Sequence, residues 1–143
     1  MKLADLQYKS GTYLAFVLSE KTRSELIKKY PPSFSRVLCH HVTIIFNLTE
    51  EKLKQFQYDQ ERDDDLEPIV RAVGICLGQG IEAFKVDVEG EDRRYDGNFY
   101  HLTHSVEPPR KPVESNDLLK TRPPTTSFNK KWIVLEGEFE LCK

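Results

Sequence analysis

Two short stretches of the chain, HHVTIIF at 40–46 and FYHLTHSV at 99–106, each place a threonine two residues after a histidine. The triplets are His41-Val42-Thr43 and His101-Leu102-Thr103, sixty residues apart. Both lie in apolar, β-branched surroundings that read as strands, where residues i and i+2 project from the same face. Alternation therefore puts His41 and Thr43 on one side, with His40, Val42, Ile44 and Phe46 on the other. It likewise groups His101, Thr103 and Ser105 against Tyr100, Leu102, His104 and Val106. His41 and His101 are the candidates for chemistry; His40 and His104 are left for packing or supporting roles.

Two imidazoles facing one another across a cleft suit phosphodiester cleavage. The neutral one takes a proton from the attacking hydroxyl or water, and the protonated one gives a proton to the leaving alkoxide. An intrinsic pKa of about 6.5 makes both forms accessible near neutrality. A threonine hydroxyl one pleat away can donate to a non-bridging phosphate oxygen. With four histidines in 143 residues, one such triplet is an ordinary coincidence. Two, both in strands, are a pattern.

The elements that must position these residues follow from periodicity and punctuation. TYLAFVL (12–18) reads as a strand buried on both faces. Ser19 then precedes a helix over EKTRSELIKKY, with Leu26, Ile27 and Tyr30 on its apolar face, stopped by Pro31-Pro32. After HHVTIIF, Thr49 caps a short helix, LTEEKLKQF. The acidic stretch at 58–67 reads as a solvated loop. Residues 68–90 read as a hairpin turning near Gln79-Gly80. EDRRYDGN is a loop, FYHLTHSV a strand, VESNDLLKT a short helix and RPPTTSFN a loop. KWIVLEGEFEL is expected to be one last strand, with Ile133, Leu135, Phe139 and Leu141 on one side. The order is α+β with mostly antiparallel sheets and short helices. Crude β-α-β units at 12–46 and 97–141 each hold one histidine strand, which suggests internal pseudo-symmetry.

Length bounds the chain, 1–143, to a single domain, long enough to bury a core without disulfide or metal staples. The net charge of -2 disfavours a protein that coats long nucleic acid. Cys39, Cys76 and Cys142 are far apart and fit buried thiols of a cytoplasmic protein rather than a zinc site. Carboxylate pairs are missing near the histidines, so neither a metal nor another cofactor is expected. The N-terminal residues lack a signal-peptide core, and no apolar run approaches membrane-spanning length, so no membrane partner is expected.

The paired His-Xaa-Thr motifs resemble those of the 2H phosphoesterase superfamily, and the element order and motif positions extend the likeness over most of the chain. The resemblance implies two pseudo-symmetric lobes, here roughly 12–57 and 97–141 with the 68–90 hairpin, around a central cleft. It also implies metal-independent catalysis by His41 and His101, with Thr43 and Thr103 on the phosphate. Compact length and the placement of HHVTI and HLTHS look most like the phage anti-CBASS phosphodiesterases, which degrade cyclic di- and trinucleotide messengers of bacterial antiphage defence. The implied substrate is then a cyclic oligonucleotide, met in the host cytoplasm if the chain is phage-encoded. In that pattern a 2'-hydroxyl attacks the 3'-5' linkage, and water opens the resulting 2',3'-cyclic phosphate.

Tyr13, Trp132 and Glu136 are candidate substrate contacts, for stacking or for holding a base edge or a histidine. Lys21, Arg23, Lys28 and Lys29, with Arg110 and Lys111, could draw in an anion. The proline-bounded loops at 108–112 and 122–128 are lid candidates. Rival readings are an RNA-processing 2H enzyme acting on 2',3'-cyclic phosphates or 2'-5' linkages, a sponge that binds the messenger without cleaving it, and a structural domain with packing histidines. The sequence leaves open which histidine is the acid first, the base preference and the oligomeric state.

Overall fold

Ser19 and Thr49 do what short hydroxyl side chains do before a helix: each accepts from a backbone N–H three residues on, Thr22 and Lys52 respectively, at 3.2 Å. They start α1 (Glu20–Lys29) and α2 (Glu50–Asp59) in the computed structural model, which describes residues 2–60, 67–121, 124, 126–128 and 131–143. Before α1 runs β1 (Tyr13–Leu18); β2 (Arg36–Val37) and β3 (His41–Ile45) follow it. The hairpin is β4 (Val70–Gly78) and β5 (Ile81–Val88), with Gly78 paired to Ile81 across the Gln79-Gly80 turn. Gly80 has φ 74, a conformation that glycine adopts without a steric penalty. Next come β6 (His101–Val106), a 3-10 turn (Pro112–Glu114), α3 (Ser115–Thr121), β7 (Thr126–Ser127), β8 (Ile133–Leu135) and β9 (Gly137–Cys142).

These elements form an α+β fold with an antiparallel sheet in the order β7-β4-β5-β6-β3-β1-β9; β2 also pairs with β6 and β8 with β4. Within 12–46, β1 and β3 are antiparallel neighbours; within 97–141, β6 and β9 are separated by β3 and β1.

The expected single strand KWIVLEGEFEL is divided at Glu136. β8 lies on β4, with Val70 opposite Leu135, whereas β9 lies on β1, with Phe16 opposite Phe139. One residue separates the two, so the sheet curls until both flanks meet on this segment. Any side chain at Gly137 would run into the Val17 carbonyl, so the switch between flanks needs glycine there. Alternation still holds across the break: Leu135 and Phe139 are buried, and Ile133 and Leu141 pack against the core.

The main core gathers Leu14, Val42, Ile44, Leu53, Phe56, Phe84, Leu102 and Phe139. A smaller cluster of Cys76, Ile81, Ala83, Val106, Leu118 and Leu119 seats α3 against the sheet. All three cysteines are free; Cys39 and Cys76 are buried as expected, and Cys142 is half-buried. Among the described residues no helix is long and apolar enough to cross a membrane. Most of the acidic stretch at 58–67, and the loop at 122–128 in part, lie outside the described residues.

Candidate active site

The two His-Xaa-Thr triplets are neighbours across the sheet. β3 and β6 run antiparallel with Val42 opposite Leu102, a register that sets His41 across from Thr103 and Thr43 across from His101. Val42 and Leu102 are each fully buried. Their burial sends the four flanking side chains to the opposite face, where all four line one cleft of about 640 Å³. Tyr13, from the first residue of β1, lines it too, with its ring 5.8 Å from that of His41. Burial, followed by the nearby Cys142, pushes the Tyr13 phenol up, so it stays a hydroxyl that can donate.

His101 is oriented by its own backbone. Its Nδ1–H donates to the Phe99 carbonyl at 3.0 Å, which leaves Nε2 for the cleft. Burial is the main cause that lowers its pKa to about 4, opposed by the Phe99 bond and assisted by Arg94 and His41. At neutral pH it is therefore an uncharged imidazole with a free lone pair. A consequence for stability follows. The unfolded chain takes up this proton near pH 6.5 and the folded chain only near 4, so folding loses free energy as pH falls through that window. The loss is at most about 3 kcal/mol from this residue. Denaturant unfolding between pH 7 and 4 should show a slope that flattens in His101→Gln; an unchanged slope would contradict the burial argument.

His41 also has a lowered pKa, first through burial and then through His40. Here the expected face assignment is corrected. His40 does not turn away with Val42 but lines the same cleft, its Nδ1 3.0 Å from that of His41. The cause is backbone. β3 begins only at His41, and Cys39 holds φ 49, donating its N–H to the Thr103 carbonyl at 2.9 Å. Strand alternation does not extend back through such a kink. His104 does face away: it is fully buried, its Nε2–H donates to the Tyr30 carbonyl at 2.6 Å, and its ring meets Phe84 edge-on at 4.9 Å.

The threonines differ. Thr103 Oγ1 is 2.9 Å from Ser115 Oγ at the start of α3 and 3.4 Å from the Pro112 carbonyl. Thr43 makes no hydrogen bond through its hydroxyl among the described residues, so it is the freer donor to a ligand oxygen. Ser105 does not reach the cleft; it donates to buried Glu82 at 2.9 Å and accepts from the Phe34 N–H at 3.2 Å.

Two candidates lie elsewhere. Trp132 precedes β8 and stacks under the Arg71 guanidinium at 4.2 Å, away from the cleft lining. Glu136 sits exposed at the β8–β9 break, where its carbonyl accepts from the Ser19 N–H. None of the six proposed steering cations lines the cleft; Arg23 instead donates to the Leu38 carbonyl, and Arg110 pairs with Glu114.

The cleft's remaining polar wall comes mostly from a stretch read only as a loop, EDRRYDGN. Arg94 is buried and forms a two-point pair with Asp96, at 3.1 and 2.7 Å, and Asp96 also accepts from the Asn98 N–H. Asn47 and Asn116 add amides, and Phe46 and Val113 add exposed apolar edges at the rim. The Asp96-Gly97 turn signal inside EDRRYDGN marks the loop in the sequence, but nothing there marks its return to the histidines. Among the described residues no three His, Cys, Asp or Glu side chains converge as a metal site. Comparison with protein-family models, with curated proteins and with solved structures finds no match to this chain.

Proposed function

We propose that this chain is a metal-independent phosphodiesterase of the two-histidine kind, in which His101 is the first general base and His41 the first general acid. The observation that carries the reading is the pairing of Val42 with Leu102, since it sets both triplets on one cleft face in opposite directions. His101 has the lower-lying proton and a lone pair directed by the Phe99 bond, which suits a base. An anionic phosphodiester favours the charged form of His41, which suits an acid.

In the first step His101 Nε2 takes the proton of a ribose 2'-hydroxyl as the 2'-oxygen bonds to phosphorus. The phosphorus–O5' bond breaks, and His41 protonates the leaving O5'. This yields a 2',3'-cyclic phosphate. With roles reversed, water opens the ring. The Thr43 hydroxyl donates to a non-bridging oxygen as charge gathers there. In this reading the β3 and β6 flanks of the sheet are the two pseudo-symmetric lobes of the 2H fold.

The substrate we propose is a cyclic di- or trinucleotide messenger, cleaved in the cytoplasm of an infected bacterium to blunt CBASS defence. Among the described residues Arg94 is the cation that lines the cleft, and it is already bound to Asp96, so binding rests on amides, hydroxyls and apolar edges more than on charge. That favours a compact nucleotide over a long RNA strand. The same neutrality keeps a second reading in play, cleavage of a terminal 2',3'-cyclic phosphate.

Incubation with a panel of cyclic di- and trinucleotides and 2',3'-cyclic mononucleotides in EDTA, resolved by chromatography, tests this. Turnover is expected, with kcat/KM bell-shaped in pH: it falls on the acid side near pH 4 as His101 gains a proton, and falls again as pH rises and His41 loses one, on a limb set lower than a free imidazole's by burial and by His40. Binding without turnover would make the chain a sponge, and loss of turnover on chelation would overturn the metal-free route.

A further inference from the structure

His101 and His41 are both anchored through Nδ1, but by different partners. The Phe99 carbonyl that holds His101 can only accept a proton. The partner of His41 is another imidazole, with the Nδ1 atoms 3.0 Å apart and the rings edge to face at 5.2 Å. At that separation one N–H fits between the two nitrogens and two do not.

We propose that His40 is a positioning residue that accepts the Nδ1–H of His41 and so directs the His41 Nε2–H at the leaving group. The inference rests on the phosphodiesterase reading for its purpose, not for its geometry. When His41 carries the charge, both its nitrogens bear protons: Nδ1–H bonds to His40, and Nε2–H faces the cleft. His40 must then be neutral, with its own proton on Nε2. Protonating His40 as well would set two N–H groups head to head, so the pair holds one positive charge between them.

The backbone on either side keeps the contact in place. Cys39 is buried and tied to Thr103, and the His40 carbonyl accepts from the Leu18 N–H at 3.0 Å. The other ionisable groups facing the pair are Tyr13 from β1, His101 from β6, and Arg94 with Asp96 from the loop before β6. Asp96 is committed to Arg94, and among the described residues no carboxylate pairs with either ring. His40 therefore takes the place that a carboxylate or carbonyl fills beside many catalytic histidines.

Two substitutions separate positioning from mere packing. His40→Asn keeps an acceptor on a short side chain but takes up no proton; His40→Ala removes the acceptor. Imidazole ¹⁵N NMR titration of the whole protein, with signals assigned through the histidine variants, should show wild-type His40 and His41 sharing the uptake of one proton. In His40→Asn, His41 should titrate at higher pH, because its competitor for charge is gone. In turnover, His40→Ala should lower kcat about 10- to 100-fold with little change in KM, the scale seen when a histidine loses its orienting partner. His40→Asn should recover most of that rate and carry the alkaline limb to higher pH. Independent titration of the two rings, or a His41 titration unmoved in both variants, would overturn the pairing. Shared titration in a protein that cleaves nothing would uphold the pairing and sink the phosphodiesterase reading instead.

Discussion

His101→Ala and His41→Ala are each expected to lower kcat by about 10²- to 10⁴-fold, the usual contribution of a positioned acid or base. KM should change little, because neither ring is the main source of affinity in a cleft whose walls are amides and apolar edges. Combining the two should cost less than the product of the single losses, since an acid without its base has little left to accelerate. His104→Gln is the informative contrast. That ring faces away from the cleft and contacts Tyr30 and Phe84, so its loss should appear as lowered stability with kcat retained at temperatures where the fold persists.

Phe84→Ala is expected to be the most costly single core change, about 3–5 kcal/mol by denaturant unfolding. Phe84 lies fully buried on β5, opposite Leu102, so it lies against the strand that carries His101. Its ring meets those of Tyr30 at 5.8 Å, His104 at 4.9 Å and Phe128 at 6.5 Å. The side chains around the gap come from the end of α1, from β6 and from the residue after β7, so no single neighbour can shift to fill it. Phe84→Leu should recover much of the loss, because it refills part of the volume. An alanine variant as stable as wild type would mean that the β5–β6 pairing is held by something other than this cluster.

The elements nearest the histidines were legible because they obey local rules. Ser19 and Thr49 cap helices, Gln79-Gly80 turns a hairpin, and alternation puts Val42 and Leu102 inward; each is decided within a few residues of itself. What escaped is set by distant parts of the chain. The kink at Cys39 reverses the expected side of His40, and it depends on a bond to Thr103, on another strand. The division of the last strand at Glu136 depends on two partners, β4 and β1, that flank opposite sides of the sheet. Trp132 and Glu136 are exposed on the side opposite Leu135, as alternation puts them, and that side does not line the cleft. Arg94, Asp96, Asn98 and Asn116 escaped for a related reason. They sit on a loop and a short helix whose return to β3 and β6 follows from packing, such as the Leu118 and Leu119 cluster beneath α3.

The central claim is that two histidines divide the work of one proton transfer chain, and leaving-group chemistry tests it most directly. A ribonucleoside 3'-(p-nitrophenyl phosphate) expels a leaving group that departs without being protonated, so a general acid is dispensable for it while a general base is not. With this substrate in EDTA, His41→Ala should regain most of the wild-type kcat and His101→Ala should remain as impaired as on an alkyl phosphodiester. Equal impairment of both variants on both substrates would contradict the assignment of base to His101 and acid to His41.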